Sequence, residues 1–485
     1  MTILDVLVLL GAALGIGGLV AGGEGLRRTG VSVTGTRRIV HAGVCVFVAA
    51  APWAFSGPGP LYLLAGGFVL VNAGAWGLGW WPSVHAARPS SWGTIALPAA
   101  VLPALAVTWS AAPSRIPLFQ IAFLVVGLAD PVAAWVGQHY GQRRLTDSAT
   151  LWGTLAFAGG AFLLVTLVLQ GTGKPLAYAV SVAVLVAVAA TTVEAISQNG
   201  WDNLTVVIAI LSVLVPLWEG TVPLVQMAGA MAVGIGVGGG AWWVGTLDGP
   251  GASAGGLFAA SLVGLGGAPW AVPALVFFVL SSALSALPAR DHRGPAPDVR
   301  RTLRQVMANG GGAWALLLMC ALGPGGTVLC AGCYAGFLGA LASAAADTWA
   351  TEVGTRYAGR PVSLTDGTRV SRGTSGAISV LGTVAALLGA ATVALAAHMS
   401  ASGDLLGAVP VGGVIGAGLI GMGCDSLVGA TLQAQYAPRA GTAAPERPAT
   451  PTERPVRGWE IVDNDVVNGV GSTGGAIAAV LFWLI

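Results

Sequence analysis

Two groups of carboxylates, amides and arginines stand out in an otherwise apolar chain. The first runs Arg37, Arg38 and His41 (RRIVHAG), Asp130 (GLADPVAAWVG), Arg143 and Arg144, Glu194 (TTVEAIS), then Asp202 and Asn203 (WDNLTV). The second runs Gln305 and Asn309 (RQVMANGG), Asp347 and Glu352 (ADTWATEVG), Arg372, Thr374 and Ser375 (SRGTSG), Asp425 (GCDSLVGATLQ), then Asp463, Asn464, Asp465 and Asn468 (VDNDVVN). Carboxylate and amide oxygens are hard donors that suit Mg²⁺. Guanidinium groups match phosphate oxygens two at a time. Phosphoryl transfer needs mainly positioning and charge neutralisation, and these residue types supply both. No G-x-x-x-x-G-K-[ST] occurs, and the lone lysine is Lys174, which excludes a P-loop kinase.

Spacing limits what each set can do. Asp347 and Glu352 are five residues apart, about 140° around an ideal helix, so they converge on one ion only if the helix ends between them. Thr374-Ser375-Gly376, at the expected start of a span, offers hydroxyls and free N–H groups to a phosphate. A lone Asp at a helix end also serves as a cap, and arginines at inner ends also serve topology. His41 reads equally as an interfacial base or as a surface histidine. Asp130, Asp347 and Asp425 are embedded in apolar sequence, where an ionisable group is costly unless it has a function.

The elements that hold these groups must be membrane helices. Only 9% of the 485 residues are charged and 55% are hydrophobic, against about 25% charged in a soluble domain. That excludes a soluble enzyme and a disordered chain. A net charge of +2 without a clustered basic surface excludes a nucleic-acid binder. The apolar runs are continuous rather than alternating, which excludes a β-barrel. The 74 glycines point to closely packed helices. The expected fold is an all-α polytopic integral membrane protein of about 16 transmembrane helices in two related bundles. No basic region precedes the first apolar run, so that run is expected to stay as a helix. Cys330 and Cys333 form a C-x-x-C with no second pair or nearby histidine, and read as packing residues.

Loop charge sets the orientation. With both termini outside and sixteen spans, all basic residues except Arg115 and Lys174 lie on the inner side, the positive-inside pattern. Both polar sets then face the cytosol, in what is expected to be a prokaryotic cytoplasmic membrane. The Pro- and Arg-rich stretch from Ala286 to Asn309 divides the chain into 1–288, a linker at 289–304, and 305–485, with a flexible inner loop at 436–460. Residues 221–288 fit either half. The halves share A-D-x-x-A-x-x-V-G, at Ala129–Gly137 and Ala346–Gly354, each followed by an arginine-bearing loop and a Gly-Thr pair, Gly153-Thr154 and Gly373-Thr374.

These motifs carry a resemblance. RRIVHAG, ADPVAA, TTVEAIS and WDNLTV resemble the phytol kinase branch of the dolichol kinase and phosphatidate cytidylyltransferase-like families, over roughly 25–220. RQVMANGG, ADTWATEVG, RGTSGAIS, CDSLVGATLQ and NDVVN resemble the phytyl-phosphate kinase family, over roughly 295–485. The first half departs from its family at GQRRLTDSATLWGTLAF, where Arg143 and Arg144 stand in place of an expected lysine and the Glu of a Glu-Gly-Ser is absent.

The resemblance implies sequential kinases. An isoprenoid alcohol such as phytol is phosphorylated first and its monophosphate second, with CTP or another nucleoside triphosphate as donor and Mg²⁺ as cofactor. In plants the diphosphate feeds tocopherol and other prenylquinones. An alcohol must lose a proton on phosphorylation, which makes Asp130 and His41 the expected catalytic groups of the first half. A phosphate monoester is already anionic, so Asp347 and Asp425 are expected to organise the second reaction around metal rather than act as strong bases. The metal-ligand candidates are Asp130, Glu194, Asp347, Glu352, Asp425, Asp463 and Asp465. Nucleotide and phosphate would fall to Arg38, Arg143, Arg144, Asp202, Asn203, Asn309, Arg372, Thr374 and Ser375. The expected partners are the prenol, its monophosphate, the nucleotide and the bilayer, with no nucleic acid; oligomeric state is open. Two other classes fit the composition. A cytidylyltransferase would release pyrophosphate, and a transporter would place ionisable groups deep in its spans.

Overall fold

The computed structural model describes residues 2–77, 91–146, 149–287, 300–324, 326–357, 359–365, 367–401, 405, 410–436 and 453–485. Most of the expected linker at 289–304 and of the expected loop at 436–460 lies outside the described residues. Each of the sixteen apolar runs is a helix. In chain order these are α1 (Ile3–Arg28), α2 (Val33–Ala54), α3 (Gly59–Gly77), α4 (Gly93–Val107), α5 (Pro113–Tyr140), α6 (Leu151–Gly171), α7 (Leu176–Ile196), α8 (Asp202–Glu219), α9 (Leu224–Val244) and α10 (Gly249–Ser261). They continue with α11 (Ala268–Ser285), α12 (Leu303–Leu322), α13 (Thr327–Tyr357), α14 (Val380–Ser400), α15 (Val411–Thr431) and α16 (Asn464–Leu484). Fourteen helices among the described residues are long and apolar enough to cross a membrane, while α4 has 15 residues and α10 has 13.

The chain forms two compact units, Met1–Gly229 with Leu322–Pro324, and Ala230–Ala321 with Gly325–Ile485. In the first, α5 is the buried axis. Leu118, Phe119, Ile121, Ala122 and Phe123 are fully buried, packed against α2, α6 and α8. Leucines such as Leu155, Leu163 and Leu167 on α6 stay more than half exposed, as a lipid-facing surface requires.

In the second unit α13 is the axis, buried without interruption from Cys333 to Ala346 and packed against α14, α15 and α16. Small residues make that approach possible. A methyl group on Gly339 would collide with the carbonyl oxygen of Gly475, and one on Gly421 with Ser343. Ser343 donates to the carbonyl of Gly471 at 2.9 Å across the same seam. Buried hydroxyls of this kind satisfy themselves on a neighbouring backbone when lipid offers no partner.

The far end of α13 is tied to α11 by a charged clamp. Arg356 bonds Glu352 at 2.9 Å and donates to the carbonyls of Leu284, Ser285 and Leu287. The Ser285 hydroxyl donates to Glu352 at 2.6 Å, and Arg301 reaches the same hydroxyl at 3.4 Å. Burial holds the Arg301 guanidinium below its usual value, with Glu352 opposing the shift. Arg356 thus caps the C-terminal carbonyls of α11. Removing one partner of such a pair strands the other. Arg356→Ala is expected to cost roughly 3–5 kcal/mol, read as a lower melting temperature of the detergent-solubilised protein.

Candidate functional site

In the first unit the polar groups gather at one end of the helices. They come from the start of α2, the later half of α5, the end of α7 and the start of α8. The segment Val125–Ala129 of α5 is a π-helical turn immediately before Asp130. Pro131 follows it, and since proline has no N–H, the Val126 carbonyl five residues back finds no donor in the π register. The widened backbone leaves the Val126 carbonyl free to accept from His41 Nε2 at 3.2 Å. The same nitrogen lies 3.9 Å from Asp130 Oδ2, an ionic contact too long for a hydrogen bond, and 3.8 Å from Cys45 Sγ. Gly127 permits the crossing, since a methyl group there would run into Cys45. Such π turns recur at functional sites.

Around this pair, Asp130 lies in the electrostatic field of Asp202, Arg38 and Arg37, and Glu194 in that of Asp130 and Asp202. Arg37 donates to Ser91 at 3.3 Å. Asn203 is buried and donates to the carbonyls of Gly93 and Gly200. Glu194 Oε2 and Asn203 Oδ1 are buried acceptors with no hydrogen-bond partner among the described residues. Arg143 and Arg144 sit in the loop after α5 with exposed side chains, while their backbone bonds tie that loop to the start of α6. Trp76, Trp92 and Trp201 lie against one another with tilted rings near the start of α8, with centroids 4.6 and 6.1 Å apart.

The second unit repeats the helix arrangement around Asp347. Thr150 caps α6 through the Gly153 N–H, and Ser379 caps α14 through the Gly382 N–H. A methyl group on Gly153 would stand 3.0 Å from the carbonyl of Ala133, three residues past Asp130. One on Gly382 would stand 3.2 Å from the carbonyl of Ala350, three residues past Asp347. The shared pattern is therefore A-D-x-x-A-x-x-V-G followed by [ST]-x-x-G-T. This corrects the expected pairing of Gly153-Thr154 with Gly373-Thr374. Gly373 has φ +79° and lies in the loop before α14, and the partner of Gly153-Thr154 is Gly382-Thr383.

That loop, with the two-residue strands β1 (Val362–Ser363) and β2 (Ala377–Ile378), covers a cavity of about 190 Å³. Its lining includes Asp347, Arg372, Thr374, Ser375, Asp425 and Asn464. The volume is below the roughly 300–1,000 Å³ of drug-sized ligand sites and suits a head group rather than a whole lipid. Asp347, Asp425, Arg372, Thr374 and Ser375 are thus brought together.

Other expected residues are placed elsewhere. Helix α13 continues through Glu352 to Tyr357, so Glu352 points into the Arg356 clamp instead of joining Asp347. Asp463 caps α16 by accepting from the Val466 N–H at 3.1 Å, and Arg304 bridges it to Asp465 at 3.1 and 3.6 Å. Asn309 donates to the carbonyl of Gln305 within its own helix. Among the described residues no three carboxylate, histidine or cysteine groups converge as a metal cluster. Sequence reasoning gave no site role to Arg304, which opens RQVMANGG, or to Gln433, a polar residue near a span at the end of CDSLVGATLQ, and missed the cap residue Ser379, for which the recurring G-T was the signal.

Comparisons with known proteins find a family and several relatives. The model of the family "Integral membrane protein DUF92" matches residues 232–476, nearly the whole second unit. A phytol kinase of Synechocystis sp. is 32% identical over 201 residues, covering 40% of this chain and 84% of that protein. An uncharacterized membrane protein of Methanocaldococcus jannaschii is 29% identical, covering 33% of this chain and 63% of that protein. Protein PGR of Arabidopsis thaliana is 28% identical, covering 40% and 75%. No solved structure matches the chain.

Proposed function

Since the chain belongs to the integral membrane protein family DUF92, we propose that it is a membrane prenol kinase with two sites, one for an isoprenoid alcohol and one for its monophosphate. The kinase reading is supported by the phytol kinase likeness over part of the chain. The two-site reading rests on the repeated geometry around Asp130 and Asp347, with one difference between them. His41 stands beside Asp130 in the first unit, whereas the second unit surrounds Asp347 with an arginine and hydroxyls.

In the first site the prenol hydroxyl attacks the terminal phosphorus of a nucleoside triphosphate, and the nucleoside diphosphate leaves. The hydroxyl proton passes to Asp130. His41, which donates through Nε2 to Val126, holds the imidazole beside that carboxylate. Arg37 and Arg38, whose charges reach Asp130, would offset the phosphate charge that develops there. In the second site a monophosphate oxygen is the nucleophile and no base is needed. Arg372, Thr374 and Ser375 offset the repulsion between two phosphate-bearing molecules. Mg²⁺ suits both donor sets, because it is usually held by one or two carboxylates together with substrate phosphates; the buried Glu194 Oε2, without a hydrogen-bond partner among the described residues, supports that reading in the first site. When bound the ion would neutralise the bridging phosphates. Both sites would face the cytosol, with the prenyl tail among the apolar helices. At the other end of the first unit lie the Arg115–Glu219 pair and Lys174 over Trp218.

The test is a mass-resolved product assay of the full-length protein in detergent with Mg²⁺ and CTP, GTP or ATP. Phytol is expected to give the monophosphate and then the diphosphate, with nucleoside diphosphate released. Pyrophosphate release with a nucleotide-linked lipid would make it a cytidylyltransferase instead.

A further inference from the structure

Gln433 lies in the second unit, two residues past the end of α15, and lines the cavity beneath the 371–378 loop. It is 2% exposed. Its Oε1 accepts a hydrogen bond from the Ser375 hydroxyl, which leaves the amide nitrogen as the free end. That nitrogen is buried and has no hydrogen-bond partner among the described residues. A buried donor left without an acceptor costs free energy comparable to a lost hydrogen bond, and natural cores carry few of them.

The surroundings hold Gln433 rigidly. Its N–H bonds the carbonyl of Val428, and the neighbouring residues bond Arg457, Trp459 and Val462. Gly458, at φ +78°, lies so close that a methyl group would collide with the Gln433 carbonyl. Gly429 lets Ser375 approach the amide, since a methyl group there would stand 2.7 Å from Ser375 Oγ and 3.2 Å from Gln433 Oε1. The side chain is therefore held in the lining of the cavity that Arg372, Thr374 and the capped start of α14 also line.

We infer that Gln433 is a ligand-binding residue whose amide nitrogen donates to a phosphate oxygen in this cavity, with Ser375 as the positioning residue that orients it. The other groups at this wall, Arg372, Thr374 and Ser375, match an anionic oxygen ligand better than an apolar one. This rests on the two-site kinase reading for the identity of the ligand, and on the geometry alone for its phosphate character. The phosphate belongs to either the prenyl monophosphate or the nucleotide.

Calorimetric binding to the full-length protein in detergent separates these sources, with phytyl monophosphate, CTP and phosphatidic acid as probes. Gln433→Leu is expected to weaken one of the phosphorylated probes roughly ten- to a hundred-fold, the loss of a hydrogen bond to a charged group, and to leave the other two unchanged. Gln433→Glu should weaken the same probe more. Ser375→Ala should weaken it less, because the donor remains while its orientation is lost. The probe affected names the source. Sensitivity confined to phosphatidic acid would keep Gln433 as a phosphate donor and sink the prenol kinase reading. Tight binding of phytyl monophosphate and CTP that ignores both Gln433 variants would overturn the role of Gln433 and leave the kinase reading standing. Binding of no probe by the wild type would overturn both. Melting temperatures without ligand identify a variant that fails to fold, and Ser375→Ala then carries the test.

Discussion

Asp347→Asn is expected to lower prenyl diphosphate formation about a thousand-fold while monophosphate formation continues, so that phytol accumulates as its monophosphate. The amide is nearly isosteric with the carboxylate, so α13 should pack unchanged among α14, α15 and α16. What disappears is negative charge in the cavity that Arg372 and Asp425 also line. Preorganised charge of this kind supplies a large share of a transfer enzyme's rate, and removing a single stabilising group has cost 10²–10³-fold in well-studied cases. A carboxylate that also organises metal should stand at the upper end of that range. Asp425→Asn should give the same phenotype. Loss of both steps in protein of normal melting temperature would contradict the assignment of separate sites.

The second large effect concerns the first unit. Asp130→Asn should reduce monophosphate formation from phytol by roughly 10²–10⁴-fold, the usual contribution of a positioned general base. His41→Ala should cost less, because the imidazole lies 3.9 Å from Asp130 and acts through it. Its loss also removes the donor to Val126 at the π turn. Steady-state rates with phytol, read as the split between kcat and KM, distinguish a lost proton acceptor from a lost prenol contact. A change in KM alone would remove Asp130 from the chemistry.

The helices were legible from sequence because a bilayer leaves few alternatives. Each apolar run had to satisfy its own backbone, and each became a helix. The polar residues that assemble at the second site were legible for the same reason, since Asp347 and Asp425 stood in apolar sequence. What sequence reading could not place was the direction of charged side chains near helix ends. Glu352 looked like a partner of Asp347, but the unbroken helix turns it toward Arg356. Asp463 and Asp465 looked like metal ligands, but Arg304 sits against both from another helix. The repeat was visible at A-D-x-x-A-x-x-V-G, yet its second part was placed nine residues too early. A Gly-Thr pair in a loop and one in a helix look alike until the cap at Ser379 is seen. Gln433 was visible as a polar residue at the end of CDSLVGATLQ, but its burial against Ser375 is created only by the fold.

The central claim is that the two carboxylate sites act on different substrates. The most direct measurement supplies phytyl monophosphate, Mg²⁺ and CTP to the full-length Asp130→Asn protein and follows the diphosphate by mass. Two independent sites predict diphosphate at close to the wild-type rate, although the same protein makes almost none from phytol. Loss of diphosphate formation from the monophosphate, in a variant that melts as the wild type does, would contradict the account.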